Sequence, residues 1–442
     1  MKVNEIAERN RLIIGLGQTG LAVARYLFAK NLPFKVMDSR YQQHSDQVSG
    51  KEALLAFAPD ALLVWNGDLM KDFDQLVVSP GVAVATPEIA EAKQFGIEIV
   101  GDIELFAQAV TIPVIAITGS NGKSTVTELV GKLIDASGKK ALIGGNIGLP
   151  ALELLDKEGD IAVLELSSFQ LETTDSLQPV AATILNVSED HLDRYQSYQD
   201  YIEAKKRVYR NARTLIVNLD DNNTWMIGRN IMSFGLKDCD WQVDVENQVI
   251  KHNGIEVIAI SDLTLQGTHN ALNVAAALAL IDAAGVVIND AVLDAAKSYQ
   301  GLAHRCQLVA LIRGVTYIND SKATNVGATV AAIESFSPSF ASNIILIAGG
   351  DAKGADLSPL KSIINNNLKA LITFGKDGDA IADLAVSIEP YKVANLQQAV
   401  QQADKLAQAG DLVLLSPACA SLDMFTNYMQ RGEMFARYVE AL

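Results

Sequence analysis

The chain has 442 residues, too many for one ordinary hydrophobic core, and 49% are apolar, so two or three packed domains are expected. Its formal net charge of −16 excludes a general nucleic-acid surface or an acidic-membrane surface. Any phosphate ligand must then be held locally, by Lys, Arg and backbone N–H groups.

Cys239, Cys306 and Cys419 stand apart without metal-site spacing, which fits free thiols in a reducing compartment. The opening residues are polar and mixed in charge, and no run of about 18 apolar residues occurs. A cytoplasmic protein with no membrane insertion is expected.

Leu12-Ile13-Ile14 predicts a strand, Gly15-Leu16-Gly17-Gln18-Thr19-Gly20 a turn, and residues 21–29 a helix. Phe34–Met37 predicts a second strand, ending at Asp38-Ser39-Arg40. A βαβ unit with a G-x-G-x-x-G turn and an acid further on predicts a dinucleotide or a diphosphate-linked nucleotide; a tight structural turn is the alternative. Arg40, following the acid, offers a cation to an anionic or uracil-type group. Val77-Val78-Ser79-Pro80-Gly81-Val82 reads as another strand ending in a ligand-facing turn, with Ser79 on the carboxyl edge where open sheets bind. A helical pattern over 103–109 leads to Pro113, and the first domain boundary is placed at residue 109.

A β-branched run then enters Thr118-Gly119-Ser120-Asn121-Gly122-Lys123-Ser124-Thr125. Val126, Leu129, Val130, Leu133 and Ile134 follow at helical spacing. Strand, glycine loop and helix N-terminus together build a phosphate cradle of inward N–H groups. Lys123 suits the terminal phosphates, and Ser124 or Thr125 suits Mg²⁺. Ile117 stands where the standard pattern has its first glycine, so the loop is shorter than usual.

Gly144–Gly148 is a Gly-rich turn in which Asn146 either meets a ligand or is merely structural. Glu165 ends a buried-type strand, 161–166, and such a strand tolerates a charge only when it is paired, which makes Glu165 a Mg²⁺ candidate. The strand 182–187 runs into Ser188-Glu189-Asp190-His191-Leu192-Asp193-Arg194, a metal or acid/base cluster or else a solvated loop. Ala204-Lys205-Lys206-Arg207 reads by charge alone as a solvated face, and Leu215–Leu219 as a strand into an acidic turn. Residues 231–265 read as short antiparallel pieces. Gly267-Thr268-His269-Asn270 opens a long Ala-rich helix carrying Asn273, with His269 read as a cap rather than a ligand.

Gly301–Arg305 reads as an interdomain linker with a guanidinium. Three apolar strands, in 316–325, 344–353 and 412–421, each end in small residues plus Lys, Thr or Ser. Parallel strands align their carboxyl ends, so these turns are expected to form one site.

Together these motifs resemble the Mur ligases, the ATP-dependent amide-forming ligases of peptidoglycan assembly. The resemblance spans nearly the whole chain and is strongest to the members that join D-glutamate to UDP-N-acetylmuramoyl-L-alanine. It is carried by Gly15–Gly20 with Asp38-Ser39-Arg40, Thr118–Thr125, Gly144–Gly148, Glu165, Glu189-Asp190-His191, Lys205, His304-Arg305, Asn319–Asn325, Gly349–Lys353 and, most specifically, Ser416–Asp423. The displaced early glycine of the phosphate loop is a variant of that family.

The resemblance implies an α/β chain of three domains. These are a Rossmann-like UDP-sugar domain over 1–109, a central P-loop ATPase-type domain over 110–301 and a C-terminal Rossmann-like amino-acid domain over 302–442. It implies ATP contacts from Gly119, Ser120, Asn121, Gly122, Lys123, Ser124, Thr125, Asn273, Arg305 and Asp320. For the UDP-sugar it implies Gln18, Thr19, Asp38, Ser39, Arg40 and Asn146, beside Ser79. For D-glutamate it implies Lys322, Thr324, Lys353, Ser421, Leu422 and Tyr428, the last standing where the family often has Phe. Two Mg²⁺ ions would be held by Ser124, Glu165, His191 and a Lys205 carbamylated by CO₂. Lys123, His191 and Lys205 are the catalytic candidates. The partners implied are ATP, D-glutamate and UDP-N-acetylmuramoyl-L-alanine, with a monomer expected. The rivals are a sibling or folylpolyglutamate-type ligase, an NAD-dependent enzyme built on the first turn, and a nucleotide-gated binding module without chemistry.

Overall fold

The computed structural model describes residues 9–41, 50–188, 194–228, 230–265 and 267–442. They form sheets of five, nine and six strands. Two compact units contain them, Met1–Ile260 with Leu272–Ala296 and Ser261–Ala271 with Lys297–Leu442.

The first sheet holds β1 (Arg11–Ile14), β2 (Phe34–Met37), β3 (Leu62–Leu63), β4 (Gln75–Val78) and β5 (Glu98–Val100) in the order β3-β2-β1-β4-β5, all parallel. Side chains alternate across it: Leu12 and Ile14 join Leu76 and Val78 in one core, while Ile13 joins Val36 and Val77 in another. Both faces are covered, which is why these strands read as continuous apolar runs. The strand order reverses beside β1, and the glycine turn follows β1 at that switch point. The helix begins at Gln18 rather than residue 21, because Leu21 N–H already donates to Gly17 O at 3.0 Å.

The second sheet contains β6 (Val114–Thr118), β7 (Ala141–Gly145), β8 (Ile161–Glu165), β9 (Ala181–Ile184), β10 (Thr214–Asn218), β11 (Ile231–Gly235), β12 (Trp241–Asp244), β13 (Val249–His252) and β14 (Ile255–Ala259). Its order is β14-β13-β12-β11-β10-β9-β6-β8-β7. β6 lies between β8 and β9, parallel to both, so Thr118, Glu165 and Ile184 finish on one edge. The expectation of antiparallel pieces over 231–265 is corrected in part. β11 runs parallel to β10 and to β12, and only β12–β14 are antiparallel. Hydrophobic alternation is the same in both directions; the path of the connection decides the direction.

The third sheet contains β15 (Gln307–Ile312), β16 (Val315–Asn319), β17 (Ile344–Gly349), β18 (Leu368–Phe374), β19 (Tyr391–Lys392) and β20 (Leu412–Leu415), ordered β15-β16-β20-β17-β18-β19. β15 pairs antiparallel with β16, and the rest are parallel. β20, last in sequence, sits between β16 and β17, which sets three turns side by side. Among the described residues no helix is long and apolar enough to cross a membrane.

Candidate active site

A cavity of about 560 Å³ opens at the carboxyl edge of the first sheet. Gln18, Thr19, Asp38, Ser39, Arg40, Ser79 and Asn146 all line it. Close packing makes the turn: a Cβ on Gly20 would stand 1.9 Å from Gly15 O, whereas one on Gly17 would meet nothing within 4 Å. Gly20 therefore lets helix and strand approach, and Gly17 leaves the turn open to a ligand. Asp38 accepts from Leu16 N–H at 2.7 Å and from the Arg40 guanidinium at 2.8 and 2.6 Å. The Arg40 hydrogen bonds hold its carboxyl down at about 2, although burial opposes them. The sequence reading missed Trp65 and Gln170, which also line the cavity.

At the edge of the second sheet the phosphate loop is fully formed. Gly122 precedes the helix Lys123–Ala136 with φ +80°, in the left-handed region that disfavours a Cβ. A Cβ there would also come within 2.8 Å of Asn273 Oδ1, so Asn273 reaches the loop. Asn186, which motif reading overlooked, braces the loop by accepting from Asn121 N–H at 2.8 Å and donating to Asn121 O at 3.1 Å. Ser120 Oγ lies 3.1 Å from Tyr201 Oη. Lys123 Nζ donates to Gly119 O at 2.8 Å and Ser120 O at 2.9 Å, and Ser124 and Thr125 are buried beneath.

Lys205 is not on a solvated face. It is 2% exposed, donates to Gly119 O at 2.8 Å and lies 4.5 Å from the Tyr201 ring centroid. Helical spacing explains this: Tyr201, Ile202, Ala204 and Lys205 share the buried side of the helix Tyr198–Lys206. That spacing was the available signal, and the charge run hid it.

Glu165 is 2% exposed. Its Oε1 accepts from Asn146 Nδ2 at 2.7 Å, and its Oε2 is buried with no hydrogen-bond partner among the described residues. A buried carboxylate oxygen of this kind, at the same sheet edge from which the phosphate loop leaves, fits a hard cation. Asn146 lines the first cavity as well, so one side chain touches both places. His191, with Glu189 and Asp190, lies outside the described residues. His269 does not cap its helix; it lies within the first turn of Thr268–Ala283 and bonds Ser335 Oγ, with burial lowering its ring to about 4.

In the second unit the turns after β16, β17 and β20 do come together. Asp320 N–H donates to Leu415 O at 2.8 Å, Gly349 N–H to Pro417 O at 2.9 Å, and Asp351 and Ala420 exchange bonds at 2.9 Å. Arg431, overlooked in sequence, pins all three. Fully buried on the helix Tyr428–Glu440, it donates to Ser321 O at 2.8 Å, Cys419 O at 3.1 Å and Gly349 O at 3.4 Å. Its spacing from Phe435 and Val439, on the apolar side, was the signal.

Lys322 Nζ lies 4.2 Å from the Tyr428 ring centroid, and Thr324 N–H donates to Lys322 O at 2.7 Å. Lys353 has φ +53° and donates its N–H to Asp351 Oδ1. Ser421 is buried and Leu422 exposed. Asp320 accepts from Ser416 Oγ at 2.8 Å and Cys306 N–H at 3.2 Å, and burial pushes its carboxyl up to about 7. Arg305 and Asp320 belong to the second unit, and Asn273 to the first.

Residues 9–101 match the Mur ligase MurD-like N-terminal domain, 117–281 the Mur ligase middle domain, and 304–419 the Mur ligase glutamate ligase domain. A UDP-N-acetylmuramoylalanine–D-glutamate ligase of Marinobacter nauticus is 47% identical, over 99% of this chain and 99% of its own. The chain belongs to the Mur ligase family. A Coxiella burnetii ligase of the same name is 45% identical, over 99% of this chain and 100% of its own. A MurF ligase from Thermotoga maritima, solved in complex with ADP, matches the fold with TM-score 0.60 at 16% identity, covering 100% of this chain and 97% of that one. The three sheets of this Mur ligase are accordingly its N-terminal, middle and C-terminal α/β domains.

Proposed function

We propose that this Mur ligase adds D-glutamate to UDP-N-acetylmuramoyl-L-alanine, coupled to conversion of ATP to ADP and phosphate, in peptidoglycan precursor synthesis. The observation that carries the reading is the full-length identity of 47% to a ligase named for that reaction. The sites support it. The first cavity takes the UDP-sugar through Gln18, Thr19, Asp38, Ser39, Arg40, Ser79 and Asn146. The phosphate loop Gly119–Thr125, with Asn273, Arg305 and Asp320, takes ATP. Lys322, Thr324, Lys353, Ser421, Leu422 and Tyr428 take D-glutamate. On this reading the domains run 1–109, 110–301 and 302–442, and the protein works as a monomer in the cytoplasm.

The reaction needs activation because a free carboxylate has only oxide to expel. A carboxylate oxygen of the L-alanyl group attacks the γ-phosphorus of ATP, ADP leaves, and an acyl phosphate remains. The amine of D-glutamate then adds to the acyl carbon, loses a proton, and phosphate departs as the amide forms. Loop N–H groups and Lys123 oppose charge growing on the γ-phosphoryl oxygens, and Arg305 joins them. Lys322 and Lys353 suit the carboxylates of D-glutamate as point charges. Mg²⁺ would be held by Ser124 and Glu165, with His191 and Lys205 for a second ion, and would neutralise phosphate charge there. His191 is also the candidate base for the amine proton, a role with which holding the second ion would compete.

Carbamylation of Lys205 has a physical motive. Its ammonium is buried and shares the Gly119 carbonyl with Lys123, so two like charges meet on one oxygen. A neutral Lys205 amine adding to CO₂, with a proton lost to water, replaces that repulsion by an anion suited to metal.

The deciding test is ADP release by the purified chain. It is expected only when UDP-N-acetylmuramoyl-L-alanine and D-glutamate are both present. Equal release with L-glutamate, L-lysine or glycine in place of D-glutamate would favour a sibling ligase instead.

A further inference from the structure

The loop Ser79–Val82 forms one wall of the first cavity, and a guanidinium from the middle domain holds it. Arg194 Nη1 donates to Pro80 O at 2.7 Å, and Nη2 to Val82 O at 3.0 Å. The same guanidinium lies over the Phe169 ring, its carbon 3.7 Å from the ring centroid, with Glu172 Oε2 at 4.0 Å. Phe169 and Glu172 sit on the helix Ser168–Glu172, whose Gln170 also lines that cavity. One side chain thus fastens two walls together.

The arrangement uses what only arginine offers, a planar fork that bridges two carbonyls while stacking on a ring. The side chain is 13% exposed, so its charged hydrogen bonds are partly shielded from water. Just past the loop, Ala83, Val84 and Ala85 border a second cleft of about 690 Å³, which Arg194 also lines. Inward, Ser79 Oγ donates to Gly15 O at 3.0 Å, so the loop position reaches the glycine turn itself.

We propose that Arg194 is a positioning residue for the nucleoside-diphosphate sugar, fixing the Ser79–Val82 wall against the helix Ser168–Glu172. The inference rests on the function proposed above and deepens its first site. Arg194→Gln should raise KM for UDP-N-acetylmuramoyl-L-alanine about 10-fold or more, the equivalent of one charged hydrogen bond. KM for ATP and for D-glutamate, and kcat, should stay within about twofold of the unsubstituted chain. Arg194→Lys should not rescue, since an ammonium keeps the charge but cannot span both carbonyls while stacking. It carries the test by itself if the Gln variant fails to fold, as judged by circular dichroism.

A KM for the UDP-sugar unchanged within twofold in either folded variant overturns the role. An equal rise for all three substrates also overturns it, since that marks a general structural defect. Absence of ligase activity in the unsubstituted chain would instead overturn the function itself.

Discussion

Lys123 and Lys205 both donate to the carbonyl of Gly119, which brings two cations onto one oxygen at the phosphate loop. Lys123→Ala should cut turnover by about 10³-fold, the scale of one lost charged clamp on a phosphoryl group, measured as ADP release. Lys205→Ala should be inactive and partly restored by added acetate or formate, which stand in for the carbamate; no rescue in a folded variant would count against carbamylation.

Asp320 makes a prediction of opposite kind. Its folded carboxyl titrates near 7 against an ordinary 3.8, because burial penalises the anion. Between pH 4 and 7 the native state therefore holds more protons than the unfolded chain, and stability falls as pH rises through that window. Asp320→Asn should remove that fall, worth up to about 4 kcal/mol, in denaturant midpoints measured across the window.

Elements here are joined where backbone approaches backbone. Gly20 brings the first helix so close to Gly15 O that any Cβ must push the two apart. Gly20→Ala should lower the melting temperature and raise KM for the UDP-sugar, with KM for D-glutamate unmoved. Gly122→Ala forces a left-handed Ala, costing about 1–2 kcal/mol, and crowds Asn273; its KM defect should fall on ATP. A Gly122→Ala enzyme with normal KM for ATP would show that the loop tolerates the shift. Arg431 acts between elements too. Replacing it by Leu strands the carbonyls of Ser321, Gly349 and Cys419 in the core, and should cost about 3 kcal/mol or more.

At the scale of the molecule, the chain divides into two compact units, and the first cavity belongs wholly to one of them. A ligand stabilises what it binds by mass action, about 2.7 kcal/mol at a hundredfold excess over its dissociation constant. Calorimetry with UDP-N-acetylmuramoyl-L-alanine should therefore raise the transition of the first unit and leave the second in place. A single transition that moves as a whole would show that the units unfold together.

Local pattern determined a great deal by itself. Strand, glycine turn and helix at residues 11–29 and 114–136 were legible because period, turn chemistry and helix start all lie within a few neighbours. The three strand-end turns of the last domain were expected to meet for the same reason, since parallel strands share an edge. Tertiary structure alone decided the rest. β20 enters between β16 and β17, and β11 lies parallel to β10, because strand order and direction depend on connections that hydrophobicity does not record. Arg431 turns inward because the buried carbonyls of Ser321, Gly349 and Cys419 offset the loss of water around its cation, while Lys205 turns inward onto one carbonyl, Gly119, that it shares with Lys123. In sequence, helical spacing puts such a residue beside apolar ones while its charge reads as surface; only the folded chain brings the carbonyls that hold it.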